Sequence, residues 1–509
     1  MLGASPIGLE ELERAARGEA RLALSPQARR AIGRSRKRLE DVLDDGEPHY
    51  GVNTGFGSFS RQRISAGDLA ALQRNLVRSH AAGVGPQLPH DVVRGMMTCL
   101  AGSLSRGLSG VRPIVVETLV RMLNAPPTGV IPAVPETGSV GASGDLAPLA
   151  HVALVLIGEG EAYYGGRIIP GAAAMKRAGI PPVTLGAKEG LALINGTHLM
   201  AAQGALFVRE FERVFEAALA AAAMSIDACR ATDAFLDQRL HEARRQPGQV
   251  YVAARLRDLI GGSRIIPSHA LNDPRVQDPY SLRCAPQVLG AAWDSFQHAR
   301  AVVARELGAV TDNPLVFDAK ASRSRGTGAE ILSGGNFHGM PLAVALDVAA
   351  IACSHVAGIA ERRVYHMLSG FDPETGLPPY LSPSPGLHSG LMIAQYTAAA
   401  CCNEIIGLCT PASVANLSTS AGMEDYNSFG PRSAAKARRA LELTRSVVAI
   451  ELLCAAQALE HHRPLKSGRG VERVHQTIRA RVRTLVADRP PARDIAAIDA
   501  LIASGALAP

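Results

Sequence analysis

The segment MAAQGALFVREFERVFEAALAAAAMSIDACR, from Met200 to Arg230, sets the terms for the fold. Phe207, Phe211, Phe215 and Leu219 recur four residues apart. That spacing places them on one stripe of a long helix. Proline-poor runs of the same kind follow at about 287–309, 341–367, 390–408 and 433–461. Long sequential helices with no strand-rich partner must bury their stripes against one another, which predicts a bundle. Apolar residues make up 47% of the 509-residue chain and aromatics only 4%. Alanine and leucine therefore fill the interior, and alanine lets helices approach closely.

The first half reads differently. Asn53-Thr54-Gly55, Pro126-Pro127, Pro132, Pro135 and the glycines from 138 to 144 break it into short pieces. Residues 158–182 have short apolar runs between glycines and predict a small hairpin. The glycine- and proline-rich stretch 369–388 reads as a surface loop, as does the connection from Asp318 to Ile331. The domains expected are 1–198, 199–432 and 433–509.

Several function classes fall away. Cysteines 99, 229, 284, 353, 401, 402, 409 and 454 form no CxxC pair, as in a reduced cytoplasmic protein without a zinc site. Acids stand where a signal peptide would carry its apolar run. The stretch Met340–Ala360 could cross a membrane by length, but its alanines fit a buried bundle helix better, so no membrane is expected. Thirteen basic against five acidic residues between Arg432 and Arg489 suggest a solvated helix face or a subunit contact. No nucleic-acid motif accompanies them. HExxH, GxGxxG and the P-loop pattern are absent, so neither metal nor soluble cofactor is expected.

The chemistry is concentrated in Gly138-Ser-Val-Gly-Ala-Ser-Gly-Asp-Leu-Ala-Pro148. In a tight bend the amide nitrogen of Gly144 can reach the carbonyl carbon of Ala142, since glycine tolerates dihedrals that other residues do not. Ring closure, with loss of water and then of the Ser143 hydroxyl, leaves a methylidene-imidazolone. Such a group is a strong electrophile, which ordinary side chains do not supply. The tripeptide alone is weak evidence, because Ala503-Ser504-Gly505 repeats it in what reads as a plain tail.

The longer string resembles the signature of the aromatic amino acid lyase family, whose members carry a 4-methylidene-imidazol-5-one group (MIO) formed from Ala-Ser-Gly. The resemblance runs from about residue 8 to about 480. It implies a mainly α fold of fumarase/aspartase-like type, a long central helical bundle with a smaller N-terminal region bearing the MIO. It further implies a homotetramer with shared active sites.

The resemblance also assigns roles, residue by residue. Tyr50, in Tyr50-Gly-Val-Asn-Thr-Gly-Phe-Gly57, is the acid or base, a phenol with a proton to exchange. Ser79-His80 reads the substrate ring, and His80 can hydrogen-bond an imidazole nitrogen. Asn195 contacts the MIO carbonyl or the substrate amine; the neighbouring His198 departs from the glutamine expected there. In Gln277-Asp-Pro-Tyr280-Ser-Leu-Arg283, Arg283 grips an α-carboxylate, Tyr280 sits near the reacting carbons and Gln277 near the amine. Asn313 belongs at the carboxylate and Phe337 against the MIO ring. Glu424 orients or deprotonates an imidazole, although Gly422, Met423 and Tyr426 differ from the usual residues around it.

His80 and Glu424 both point to L-histidine, deaminated to trans-urocanate. Attack by the substrate amine on the MIO is the preferred route, with ring attack as the alternative. The proton acceptor is Tyr50, Glu424 or Tyr280. The rival within the family is a phenylalanine or tyrosine lyase or an aminomutase. A fumarase-type enzyme would carry a different Gly-Ser-rich signature with Met, Lys and Asn, and no such string is present.

Overall fold

The computed structural model describes residues 1–3, 5–43, 48–55, 57, 62–271, 273–318 and 329–507. Phe56 and most of the connection between Asp318 and Ile331 lie outside the described residues. Eighteen α-helices account for most of the described residues, with a few short strands beside them. The expected long runs appear as helices His198–Ala228, Ala285–Glu306, Met340–Ser369, Met392–Leu408 and Gly430–Glu460.

The first half is more helical than its turns suggest. Helices Leu9–Ala16, Pro26–Leu43, Leu69–His80, His90–Leu104, Pro113–Asn124 and Leu146–Leu156 fit between the breaks. Gly33, Gly95, Gly102 and Pro148 lie inside these helices and other prolines and glycines lie just beyond them, so the punctuation does not exclude helix. The hairpin forms as Glu161–Tyr164 and Arg167–Pro170, antiparallel. Gly165 and Gly166 turn it with φ of +59° and +78°, a conformation that costs glycine little. Stretch 369–388 contains only two short 3₁₀ turns, Pro373–Thr375 and Pro379–Leu381. The C-terminus is not the plain tail it resembles. Ser504 ends the helix Pro491–Ser504, and Gly505 closes it in the left-handed conformation.

The chain divides into two compact units, one of residues 1–206, 300–346 and 411–435, the other of 207–299, 347–410 and 436–509. Four of the five boundaries between these units fall inside long helices, and the fifth lies in the loop after Leu408.

The first unit holds the N-terminal helices and all the described strands. Within the second unit, the stripe of helix His198–Ala228 behaves as its spacing predicts. Phe207, Phe211 and Phe215 are fully buried. Phe211 stacks on Phe296 at 4.3 Å between ring centroids, and Phe215 on Trp293 at 4.8 Å. Deeper in this unit Arg363 and Glu451 form a buried pair, with Nε to Oε1 at 2.5 Å and Nη2 to Oε2 at 2.9 Å. Ser225 Oγ donates to the same carboxylate, so the charge is both paired and hydrogen-bonded.

The basic C-terminal stretch is largely neutralised within its own unit. Arg463 pairs with Glu472, Arg479 with Glu460, Arg439 with Glu404 and Arg489 with Asp494. Helix Met340–Ser369 is long and apolar enough to cross a membrane, yet most of it is buried. All eight cysteines are free thiols.

Removing the central ring of the aromatic stack should be costly. Phe211→Ala is expected to lower stability by about 3–5 kcal/mol, seen as an earlier urea midpoint, whereas Phe211→Leu should cost clearly less.

Candidate active site

The Ala142–Gly144 segment is tightly bent. Gly141, Ser143 and Gly144 have φ of +80°, +49° and +81°. Ser143 is the informative one, since a non-glycine residue rarely adopts that conformation without surroundings that impose it. Gly141 and Gly144 pair across the turn, and Gly144 also pairs with Gly196. Gly196 N–H donates to Ser143 O at 3.1 Å, and Asp145 N–H donates to Gly196 O at 2.8 Å. A Cβ on Gly144 would overlap the Gly196 carbonyl, so only glycine fits. Ser139 Oγ donates to Gly144 O at 3.1 Å and closes the turn from the other side.

Asp145 ties this turn to the helix His198–Ala228. Its Oδ2 accepts the backbone N–H of Leu199 at 2.8 Å and of Met200 at 3.2 Å, in the first turn of that helix. Free N–H groups at a helix start favour an acid there. Full burial nevertheless raises its pKa to about 7, against those two backbone bonds. Burial also lowers the pKa of His198 to about 4, which leaves that ring neutral.

A cavity of about 710 Å³ opens beside Ser143. Tyr50, His80 and Glu424, three residues from distant parts of the sequence, line it together with Ser143. The Tyr50 loop is fixed by its own polar residues. Asn53 Oδ1 accepts His49 N–H at 2.6 Å, and Thr54 Oγ1 accepts Gly51 N–H at 3.2 Å. Tyr50 Oη accepts Gly57 N–H at 3.4 Å. Glu424 closes a small turn through Thr419, whose hydroxyl donates to Oε2 at 2.9 Å.

His80 ends the helix Leu69–His80. Its Nδ1 lies 2.8 Å from Leu76 O, a group that can only accept. Nδ1 therefore carries the proton, and in the neutral ring Nε2 is left as an acceptor. Leu72, Asn75, Leu76 and Ser79 line the cavity from the same helix at spacings of three and four, a pattern that could have been read from the sequence. Gln62 and Ser420 also line it.

Asn195 ends the helix Glu189–Ile194 and is 2% exposed. Its Nδ2 donates to Asn313 O at 2.9 Å and to Asp312 Oδ1 at 3.3 Å. Its Oδ1 is buried and has no partner among the described residues. A buried unpaired acceptor is costly unless a ligand satisfies it. Asn313 is largely occupied, accepting Gly334 N–H at 2.6 Å and donating to Ser333 at 3.3 Å. Phe337 is half-buried and does not line the cavity.

Gln277, Tyr280 and Arg283 belong to the second unit, and none of them lines that cavity. Arg275 holds the turn before them through Asp273 and the carbonyls of Cys229 and Arg230. Tyr280 and Arg283 share a face as their spacing predicts, with the guanidinium carbon 4.5 Å from the ring centroid. Arg283 Nε donates to Asp278 O at 2.8 Å, which leaves the terminal nitrogens available for a carboxylate. Tyr280 is 71% exposed.

A family model described as aromatic amino acid lyase matches residues 7–480. A histidine ammonia-lyase from Anaeromyxobacter sp. (strain K) is 49% identical, covering 100% of this chain and 99% of its own length. Among solved structures, a histidine ammonia-lyase from Trypanosoma cruzi superposes with a TM-score of 0.90 at 36% identity, over 99% of this chain and 93% of its own. A tyrosine aminomutase from Streptomyces globisporus does so with a TM-score of 0.91 at 35% identity, over 99% and 96%.

The glycine contact makes a direct prediction. Gly144→Ala should prevent the turn from closing, so the purified variant should show no loss of water from residues 142–144 by intact mass and peptide mapping.

Proposed function

The chain belongs to the aromatic amino acid lyase family, and from that premise we propose that it eliminates ammonia from L-histidine to give trans-urocanate. The observation that carries the choice of substrate is the cavity in which His80, Glu424 and Tyr50 meet Ser143. An acceptor Nε2 on His80 suits the N–H of an imidazole, and a phenyl ring has nothing to offer it. Leu72 and Leu76 supply apolar walls for the ring.

We assign the electrophile to Ala142–Ser143–Gly144. The bent Ser143 and the Gly144 that admits no side chain both suit such a group. Once formed, the MIO supplies an electrophilic methylene that converts the amino group of histidine into a better leaving group. The chain's own residues do the rest. His80 orients the imidazole, and Asn195 Oδ1 accepts an N–H of the substrate amine. Arg283 and Asn313 hold the carboxylate, with Gln277 near the amine and Phe337 against the ring. Tyr50, Glu424 or Tyr280 takes the proton from Cβ, and its electron pair forms the double bond as the C–N bond breaks.

We further propose a cytoplasmic homotetramer with shared active sites. The exposure of Gln277 and Tyr280 supports it, since a catalytic segment left open on one chain can complete a site on another. Ile393, Tyr396 and Ile406 of helix Met392–Leu408 are also exposed and apolar.

Two substitutions test this reading. Ser143→Ala should abolish urocanate formation, followed by its absorbance, while far-UV circular dichroism stays unchanged. His80→Leu should lower kcat/KM for L-histidine by about 10–100-fold. Production of cinnamate or coumarate, but not urocanate, by the unaltered protein would favour the phenylalanine or tyrosine reading.

A further inference from the structure

Lys188 and Asp312 form an ion pair at 2.5 Å whose side chains are 0% and 1% exposed. Neither belongs to the residues that line the cavity. Such a pair is expensive, because desolvation of both charges offsets most of their attraction. Burial indeed lowers the pKa of Lys188 despite Asp312 beside it. Stability alone is a poor account of a pair of this kind.

What the pair holds is more telling. Asp312 Oδ2 takes the lysine, while Oδ1 accepts Asn313 N–H at 2.7 Å and Asn195 Nδ2 at 3.3 Å. The other hydrogen of Asn195 Nδ2 goes to Asn313 O. Two acceptors on one side of the amide dictate that the NH₂ end points there. The oxygen end must then face away, and it is the atom left buried and unpaired.

Lys188 itself is held firmly. It adopts a left-handed φ of +68° at the start of helix Glu189–Ile194, which ends at Asn195. The next residue, Glu189, is gripped by Arg112 through Nε at 2.9 Å and Nη2 at 2.6 Å. Gly186 N–H adds a bond at 2.7 Å. Both ends of this one short helix are thus fixed by buried polar contacts.

We propose that Lys188 and Asp312 are positioning residues, which act by locking the Asn195 amide with its oxygen toward the substrate amine. The ammonium of the lysine keeps Asp312 an obligate acceptor. Without it nothing among the described residues holds Asp312 Oδ2, the carboxylate can rotate away from Asn195 Nδ2, and the amide is free to turn over and present NH₂ to an ammonium. The inference rests on the lyase reading above, and on Asn195 meeting the substrate amine.

The test is a double-mutant cycle with L-histidine as substrate and urocanate absorbance as readout. Lys188→Met is expected to lower kcat by about 100-fold, the scale of a small misplacement of a reacting group. KM should move much less. In an Asn195→Ala background the same change should alter kcat by no more than about twofold, within the scatter of additive effects. Asp312→Asn, which keeps the shape but can present either end of an amide, serves the same cycle where Lys188→Met does not fold. Intact mass reports in every variant whether two waters have been lost, independently of turnover. An unchanged kcat, or the full loss repeated without Asn195, overturns the assignment. An unaltered protein that makes no urocanate removes the lyase reading instead, so the two failures are distinguishable.

Discussion

Everything in the site hangs on two backbones lying closer than any side chain would permit. Gly144 and Gly196 pair as strands do, and a single methyl group on Gly144 would drive them apart. The contact holds Ser143 in its left-handed conformation through Gly196 N–H. It also brings Asp145 to the first turn of helix His198–Ala228, where two amides of that helix bind the carboxylate. The Ala142–Gly144 turn, a helix start and the residue Asn195 just before Gly196 are thereby fixed in one frame. Glycine is required at Gly144 for space as well as for its dihedral freedom.

Around that frame the polar groups divide the work. His80 offers an acceptor because its other nitrogen is committed to Leu76 O. Asn195 offers one because its NH₂ is committed to Asp312 and Asn313. In both cases the free atom is specified by what the bonded atom touches, which is how a protein orients a group without adding a charge. Asp145 and His198 show the complementary effect. Burial pulls the acid up and the imidazole down, so both are biased toward neutrality beside the turn.

Much of this is legible in the residues alone, for identifiable reasons. The four-apart phenylalanines forecast a buried stripe because helix periodicity is local. Ala142–Ser143–Gly144 can be told from its copy at 503–505 by the glycines around it, and the copy proves to be the end of a helix with its capping glycine. Tyr50, His80 and Glu424 are each indicated separately, by family motif, and share one cavity. Lys188 and Asp312 give no such signal. A charged residue reads as solvated until its burial is known, and that burial depends on segments far apart in sequence. The helices of the first half are obscured by prolines and glycines that bound them. The two-unit division is hidden because four of its five boundaries run through helices, where composition does not change.

The proposed chemistry stands or falls on whether residues 142–144 become the electrophile. Intact-mass spectrometry of the purified, unaltered chain, with peptide mapping, answers that without reference to any substrate. Cyclisation predicts a chain lighter than its sequence by two water molecules, with the whole loss in the peptide that contains Ala142–Ser143–Gly144. A chain of unshifted mass, or a loss mapped to Ala503–Ser504–Gly505, would contradict it.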